Sequence, residues 1–341
     1  MEDRLMGIRV LIDGRWDGDT GIGRLYREVM ARRPQEVMPT FVKSRMGLGN
    51  LLTPWMLARE IRRTPADVFY SPSFMPPLDS RMPFVFTIHD LMHLFYYTPM
   101  HRLYYKTVIA RLAAKARNVI TVSHYSKGQL VELLGIDERR ITVIYNGVDD
   151  AYHRNTRRHE AGRPYFFYVG NRRKNKNLPA MLTAFARAAI PLDFMFFLSG
   201  HPDEVLVKLI RQLGIGERVR FLGRIPEGDL PAYYKGAFAT CFVSLMEGFG
   251  LPVIESMASG TPVLTATAGS LPEIAGGAAL CVDPLDSAAI AGGMERLVND
   301  SRYYRQLQEQ GPERAARFSW GETAAQTWKV ILDKHPHDEG T

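Results

Sequence analysis

Two periodicities alternate along this chain. Short runs dense in Val, Ile, Phe and Tyr, without polar alternation, recur at residues 8–12, 68–72, 84–90, 119–123, 141–145, 165–170, 194–200, 219–223, 237–245, 261–265 and 278–284. Such runs read as strands buried on both faces, the habit of parallel sheets whose crossovers are helices. Between them the apolar residues follow helical spacing, at 21–31, 45–63, up to about Arg117, from 178, at 205–213, at 230–235, from 252 and at 320–332. Pro54 is expected to break the second of these. Strand and helix in strict alternation predict an α/β fold of doubly wound sheets. Residues 150–163 are polar, charged and aperiodic, and read as a linker. It separates an N-terminal domain (1–150) from a C-terminal domain (164–318), with 319–335 as a terminal helix.

One stretch concentrates chemistry. Glu247-Gly-Phe-Gly-Leu-Pro-Val-Ile-Glu255 follows the apolar run 237–245, and Pro252 sits where a first helical residue needs no partner for its missing N–H. The glycines therefore fall in a strand-to-helix turn. Gly248 and Gly250 let backbone approach a ligand closely, and the new helix directs unpaired N–H groups into the turn, which suits phosphate. Two carboxylates beside a phosphate nest repel that charge, so Glu247 and Glu255 suit hydroxyls on either side of a diphosphate. A sugar nucleotide has that layout. A solvated glycine turn in any doubly wound domain is the plain alternative, and a lone Gly-rich turn is weak.

The full string, continued by Glu255-Ser-Met-Ala-Ser-Gly-Thr-Pro-Val, resembles the signature of retaining GT-B glycosyltransferases of family four, also called glycosyl transferases group 1. The resemblance covers nearly the whole chain and is strongest over 165–284. It implies two Rossmann-like domains facing a cleft, the first acceptor-side and the second binding the sugar nucleotide. It also places the last helix back on the first domain, and Gly223-Arg-Ile-Pro against the nucleotide base.

The remaining candidates take their roles from that resemblance and from local chemistry. The basic loop Asn171-Arg-Arg-Lys-Asn-Lys-Asn177 lies where a strand meets a helix start, and its cations are costly together unless an anion joins them or they point apart into water. The family grips the donor diphosphate with an Arg and a Lys here. Lys176 matches directly; the Arg is Arg172 or Arg173, because Asn171 stands where the family often has Arg. Gly21 and Gly23, with Arg24, match a Gly-rich first loop facing the donor phosphates, although a simple tight turn fits as well. His89, at the end of the 84–90 run, matches a histidine near the transferred sugar. Phe249 and Leu251 complete the donor set. In the implied reaction His89, Glu247 and Lys176 are catalytic, Glu247 holds the sugar and Glu255 the ribose. Asp17-Gly-Asp19 reads as a solvated loop, and no metal is expected.

Composition narrows the remainder. The chain has 341 residues, 46% of them hydrophobic, enough for two cores. Cys241 and Cys281 lie in apolar runs and read as reduced thiols. No apolar run is long enough to span a bilayer, and Met1-Glu-Asp-Arg-Leu lacks a secretory leader's pattern, so a cytoplasmic protein is expected. Net charge is +7, and residues 1–150 hold 21 Lys and Arg against 16 Asp and Glu. In that half, residues 93–117 interleave aromatics with Arg102, Lys106, Arg111, Lys115 and Arg117, which fits an acceptor-side or peripheral membrane surface, or ordinary core aromatics with solvated charge. No nucleic-acid module accompanies it.

The reading is a retaining hexosyltransferase, independent of cofactors. It moves a mannose- or rhamnose-type sugar from a sugar nucleotide to a glycan or lipid-linked glycan in bacterial surface polysaccharide synthesis. A GDP-sugar is favoured, with UDP- and dTDP-sugars open. A nucleotide-sugar epimerase and a non-catalytic glycan-binding protein are the alternatives.

Overall fold

A computed structural model describes residues 7–48, 50–79, 81–96 and 98–333; residues 1–5, read above for a leader, and 334–335 of the terminal segment lie outside these. The chain divides into two units. The first is the chain up to Gly147 together with the chain from Trp320 on, and the second is Val148–Ser319.

The first unit is built on six parallel strands, β1 (Ile8–Ile12), β2 (Val37–Phe41), β3 (Val68–Ser71), β4 (Phe84–Ile88), β5 (Asn118–Thr121) and β6 (Ile141–Val143), ordered β2-β1-β3-β4-β5-β6. Ile12 pairs with Tyr70 and Ile88 with Thr121. Every residue of β3, β4 and β5 is buried, which is why these strands read as unbroken apolar runs. Strand β2 is absent from the apolar runs of the sequence. It is an edge strand containing Pro39, half-exposed, and a proline there removes only an unneeded donor.

Helices α1 (Gly21–Ala31), α2 (Thr53–Arg63), α3 (Met92–Phe95), α4 (Pro99–Tyr104), α5 (Ala110–Ala113) and α6 (His124–Leu134) complete the unit apart from its last helix, and a π-helical turn, Tyr105–Ile109, joins α4 to α5. The helix expected over 45–63 begins only at Thr53. Pro54 starts it rather than breaking it, because the first turn has no use for that N–H. Ser123 caps α6, its Oγ accepting from Ser126 N–H at 3.1 Å. One sheet face, presenting Leu11, Phe69, Phe86 and Ile88, is covered by Met56 and Leu57 of α2, Leu94 of α3, Tyr105, Ile109 and Leu130.

The second unit begins before its sheet. Residues 150–163, expected to be a linker, start with helix α7 (Asp150–Arg154), capped by Asp149. Tyr152 is buried edge-on against Tyr234 at 5.7 Å, and His159 stacks on Tyr233 at 4.1 Å. This polar stretch therefore packs onto its own unit through two aromatic anchors, which a periodicity reading misses. The strands are β7 (Tyr165–Tyr168), β8 (Met195–Leu198), β9 (Val219–Phe221), β10 (Ala239–Phe242), β11 (Val263–Ala266) and β12 (Leu280–Val282), all parallel, ordered β12-β11-β10-β7-β8-β9. They alternate with α8 (Leu178–Arg187), α9 (Glu204–Gln212), α10 (Leu230–Gly236), α11 (Leu251–Ala258), α12 (Leu271–Ala275), α13 (Ser287–Asn299) and α14 (Ser301–Ala315).

The last helix, α15 (Trp320–Leu332), belongs to the first unit. Trp328 Nε1 donates to the Val29 carbonyl of α1 at 2.9 Å, Thr323 Oγ1 donates to Tyr145 O at 2.7 Å, and the Arg117 guanidinium caps the Ile331 carbonyl. Among the described residues no helix is long and apolar enough to cross a membrane.

Each sheet has one place where the winding reverses. In the second, the chain runs from β7 outward through β8 and β9, then returns to place β10 on the other side of β7. The loops leaving β7 and β10 thus part at the carboxyl edge and open a crevice, the usual ligand position in such sheets. In the first unit the reversal lies between β1 and β3.

Candidate active site

The loop leaving β10 carries the glutamate string. Gly250 caps α11 with φ +104°, a conformation that L side chains rarely adopt, and a Cβ there would come within 2.7 Å of Leu271. Pro252 lies in the first turn of α11. The turn is held from behind by α12: Ser270 Oγ lies 3.0 Å from both the Glu247 and Phe249 carbonyl oxygens, which share its one proton, and Ser270 N–H also donates to Glu247 O. Gly269, at φ +65°, must be a glycine, since its Cβ would fall 2.9 Å from Glu247 N. Phe249 is a packing anchor, edge-on to Phe318 at 5.7 Å. Glu255, buried one turn into α11, accepts from Tyr234 Oη at 2.9 Å.

The loop leaving β7 is stitched to this turn by two asparagines. Asn175 Nδ2 donates to Met246 O at 3.1 Å while its own carbonyl accepts from Leu245 N–H at 2.8 Å. Asn177, with φ 59° the one non-glycine residue at positive φ among those described, donates from Nδ2 to Val243 O and Pro284 O. Between them Lys176 Nζ reaches Glu247 Oε1 at 2.7 Å and lies 5.0 Å from the centre of the Phe242 ring. Both side chains are nearly buried. The cation expected at a phosphate and the carboxylate expected at a sugar are therefore one ion pair, at the winding reversal and beside the N-terminus of α11.

The two arginines of that loop differ in kind. Arg172 donates from Nη2 to the Ser199 carbonyl, its Nε faces Asp203 Oδ2 at 3.7 Å, and its guanidinium lies over the rings of Tyr168 and Phe221. Burial draws its pKa down, against the pull of Tyr168 and Asp203. Arg172 thus holds the end of β8 through Nη2, while its buried Nε and Nη1 have no hydrogen-bond partner. Arg173 is exposed and makes only a backbone contact, its N–H donating to Asn171 Oδ1 at 3.0 Å.

In the first unit His89 stands at the end of β4. Its Nε2 lies 2.8 Å from Pro72 O, an atom that can only accept, so Nε2 carries the proton and Nδ1 of the neutral ring is an acceptor. Burial lowers its pKa, with the Pro72 carbonyl opposing, which keeps the ring neutral at pH 7. Gly23 is fixed by packing: its Cβ would lie 2.0 Å from Gly18 O, and its N–H donates to Thr20 Oγ1, the cap of α1. Gly21 opens α1 and is exposed, and Arg24 lies over the Trp320 indole at 5.9 Å. Asp13, not among the residues expected at the site, is wholly buried just after β1. Both of its oxygens accept from Arg15 at 2.7 Å, and Arg15 Nη1 donates on to Met46 O. An Asp two residues before an Arg gives no sequence signal of that burial. Ser270 and Gly269 were likewise invisible as parts of the site, because they act on the backbone of Glu247 and Phe249, more than twenty residues away in sequence.

Comparison with known proteins yields two family models that between them span most of the chain: "Glycosyltransferase Family 4" over residues 12–152 and "Glycosyl transferases group 1" over 149–314. The chain is 28% identical over 296 residues to O-antigen chain mannosyltransferase B of Escherichia coli, covering 81% of this chain and 77% of that one. It is 31% identical over 226 residues to an MMP alpha-(1->4)-mannosyltransferase of Mycolicibacterium hassiacum, covering 64% and 55%. Among solved structures it is similar to Anabaena Alr3699/HepE in complex with UDP-glucose, with TM-score 0.78 at 19% identity, over 95% and 100% of the two chains. WaaG, a glycosyltransferase involved in lipopolysaccharide biosynthesis, gives TM-score 0.74 at 16% identity over 95% and 100%. At such identities these structures speak to the fold alone.

Proposed function

This chain belongs to the family-four glycosyltransferases of GT-B fold, and on that premise we propose that it transfers a mannose-type hexose, with retention, from a sugar nucleotide to a glycan or lipid-linked glycan acceptor. The process it serves is the building of bacterial surface polysaccharide, in line with its likeness to O-antigen mannosyltransferases. A GDP-sugar is the favoured donor, in line with the likeness to several mannosyltransferases, and rhamnose is the second choice of sugar.

The observation that carries the reading is the Lys176–Glu247 pair beside the α11 N-terminus. Without a donor the two charges neutralise each other. A diphosphate entering the crevice competes for Lys176, and Glu247 is then free to accept hydrogen bonds from hydroxyls of the sugar. Arg173, free of other side-chain duties, extends the cationic side, while Glu255 with Tyr234 suits the ribose hydroxyls.

In the transfer, the bond from the sugar's anomeric carbon to the phosphate oxygen breaks and one to the acceptor oxygen forms on the same face. The acceptor's proton passes to the departing phosphate, and a nucleoside diphosphate leaves. Lys176, Arg173 and the amides of α11 stabilise the charge growing on that phosphate, which is where preorganised electrostatics has its largest effect. His89, neutral and with Nδ1 accepting, is suited to a sugar hydroxyl.

Thermal shift against GDP-, UDP-, dTDP- and ADP-sugars tests the donor reading. A ligand at about 100 times its Kd stabilises by roughly 2.7 kcal/mol. If no sugar nucleotide shifts the protein at millimolar concentration, the reading fails. With a donor found, anomeric configuration by NMR of the product tests retention.

A further inference from the structure

The amino edge of the first sheet, where its parallel strands begin, carries a charged hollow. Arg81 comes three residues before β4, Arg117 stands directly before β5 and Arg140 directly before β6, and these three strands are neighbours in the sheet. Adjacent strands lie roughly 4.8 Å apart, so the three entries span about 10 Å. Their cations and Lys115 line one cavity of about 360 Å³. Asp79 is the one acid lining it among the described residues, and Arg62 Nη2 meets that carboxylate at 3.0 Å. His89 stands at the other end of β4, so the hollow is no part of the sites described above.

Surface cations ordinarily swing apart into water. Two of these are held. The Arg117 guanidinium caps the Ile331 carbonyl of α15, and Arg140 Nη1 donates to Ala116 O at 2.8 Å. Both side chains are half-buried. Burial draws the Arg117 pKa down while Asp333 pulls it up, the mark of a cation kept where solvation is incomplete. Arg117 N–H also donates to Phe84 O at 3.0 Å, which fixes the backbone between the entries of β4 and β5. Like charges held at this spacing in a concave wall repel one another and focus a positive field in the hollow. An anion there relieves the repulsion.

The span of the cations decides the class of anion. A single phosphate is too short to meet donors on three strand entries, whereas two linked phosphates reach across them. Arg81, Met82 and Pro83 also line an adjoining hollow of about 740 Å³, where Ile61 and Ala66 add apolar wall. The organic body of a diphosphate has its place there.

We propose that the amino edge of the first sheet binds a small organic diphosphate, its phosphates among Arg81, Lys115, Arg117 and Arg140 and its body against Ile61 and Met82. This rests on no part of the proposed transfer reaction. The probe is inorganic pyrophosphate, titrated by calorimetry into the full chain, with inorganic phosphate alongside. The Lys176–Glu247 crevice is also expected to take a diphosphate, so the titrations are made in Lys176→Met as well as in the wild type. Lys176→Met is expected to bind pyrophosphate, at least about tenfold more tightly than phosphate. Adding Arg81→Ala/Lys115→Ala, both exposed positions, should weaken that binding at least about tenfold with melting temperature unchanged. Adding Lys208→Ala/Arg211→Ala instead removes the same charge from the exposed side of α9 in the second unit, and should change it by less than about twofold, because distant charges are screened.

No pyrophosphate binding by Lys176→Met at millimolar concentration overturns the proposal. Equal weakening by the two double variants does so as well, since net charge alone then accounts for the binding. Binding indifferent to Arg81→Ala/Lys115→Ala places the anion elsewhere, and phosphate held as tightly as pyrophosphate removes the case for a diphosphate; either result overturns it too. Donor binding is read separately, by thermal shift of the wild type with sugar nucleotides, so failure of this site and failure of the enzymatic reading are told apart.

Discussion

Replacing Lys176 with Met should separate what the Lys176–Glu247 pair does for stability from what it does for donor binding. The charges are 2.7 Å apart, a gross attraction of about 6 kcal/mol at an effective dielectric near 20. Desolvation offsets much of that, so the measurable quantity is the cost of stranding Glu247. Removing one partner of a fully buried pair costs roughly 3–5 kcal/mol. Here the side chains are 13% and 9% exposed, so water can reach the stranded carboxylate, and about 3 kcal/mol is expected. For a unit of this size that is a fall in Tm of roughly 6–12 °C.

Glu247→Gln should cost less, because the flexible lysine can turn to water, and the double variant should recover part of the loss. The diagnostic lies in binding. If a diphosphate takes Lys176 from Glu247, then Glu247→Gln removes the competitor and should tighten the plain nucleoside diphosphate several-fold, about tenfold for each 1.4 kcal/mol of competition removed. The same variant should weaken the sugar nucleotide. Calorimetric scans and titrations of nucleoside diphosphate and sugar nucleotide read all three effects. Equal changes for the two ligands, or a Tm within about 2 °C of wild type in Lys176→Met, would refute the exchange.

Other consequences can be checked with the same instruments. Arg173→Ala should leave Tm within error and weaken the nucleoside diphosphate about tenfold relative to the nucleoside, an amount typical for one charge-assisted contact. Arg172→Ala should instead lower Tm, because the Ser199 carbonyl and Asp203 lose their partner, at a cost of about 2 kcal/mol; equal effects of the two on Tm would undo their assignment. His89 has its pKa lowered below 6.5 by burial. The unfolded chain therefore binds more protons in the window below 6.5, so His89 costs stability as pH falls through 6.5 and none above it. A plot of stability against pH should flatten over that window in His89→Gln, with the lowered His159 accounting for part of the remaining slope. Gly23→Ala should destabilise the first unit by about 1–3 kcal/mol, its methyl meeting Gly18 backbone; an unchanged Tm would mean the loop gives way freely.

How far the sequence carries the structure depends on how far each feature rests on neighbours. Buried parallel strands announce themselves, since β4 and β5 have no polar face to conceal them. Edge strand β2 does not, because half its residues face water and Pro39 argues against it. The stretch read as a linker holds more structure than its polarity suggests, for a related reason. A capped turn of helix and two aromatic contacts, Tyr152 on Tyr234 and His159 on Tyr233, fold residues 150–163 against their own unit, and both partners lie some seventy or more residues away in sequence. Arg172 and Arg173 were indistinguishable as letters. Only the end of β8, which presents the Ser199 carbonyl and Asp203, makes one a staple and leaves the other exposed.

The meeting of Lys176 with Glu247 follows from winding rather than from either motif. The residues are 71 apart, one on the loop that begins the run outward to β8 and β9 and one on the loop that begins the run outward to β11 and β12. Any doubly wound sheet brings two such loops together at its reversal, so the fold supplies the juxtaposition and the sequence has only to place chemistry at the two ends. It does so with asparagines as well as with charges. Asn175 and Asn177 bind the first loop to carbonyls of the second on either side of Lys176, so the lysine stem cannot drift from the carboxylate without breaking three backbone contacts. The cation is thereby held in a place it would not choose if it were merely solvated. A buried pair that replaces no hydrophobic contact gains little stability over a packed apolar alternative, and under the proposed function its place at a crevice beside a helix N-terminus serves an anion that replaces Glu247 there. Substituting the pair by Met and Leu together should for that reason leave the second unit as stable as before, or more so, while donor binding disappears.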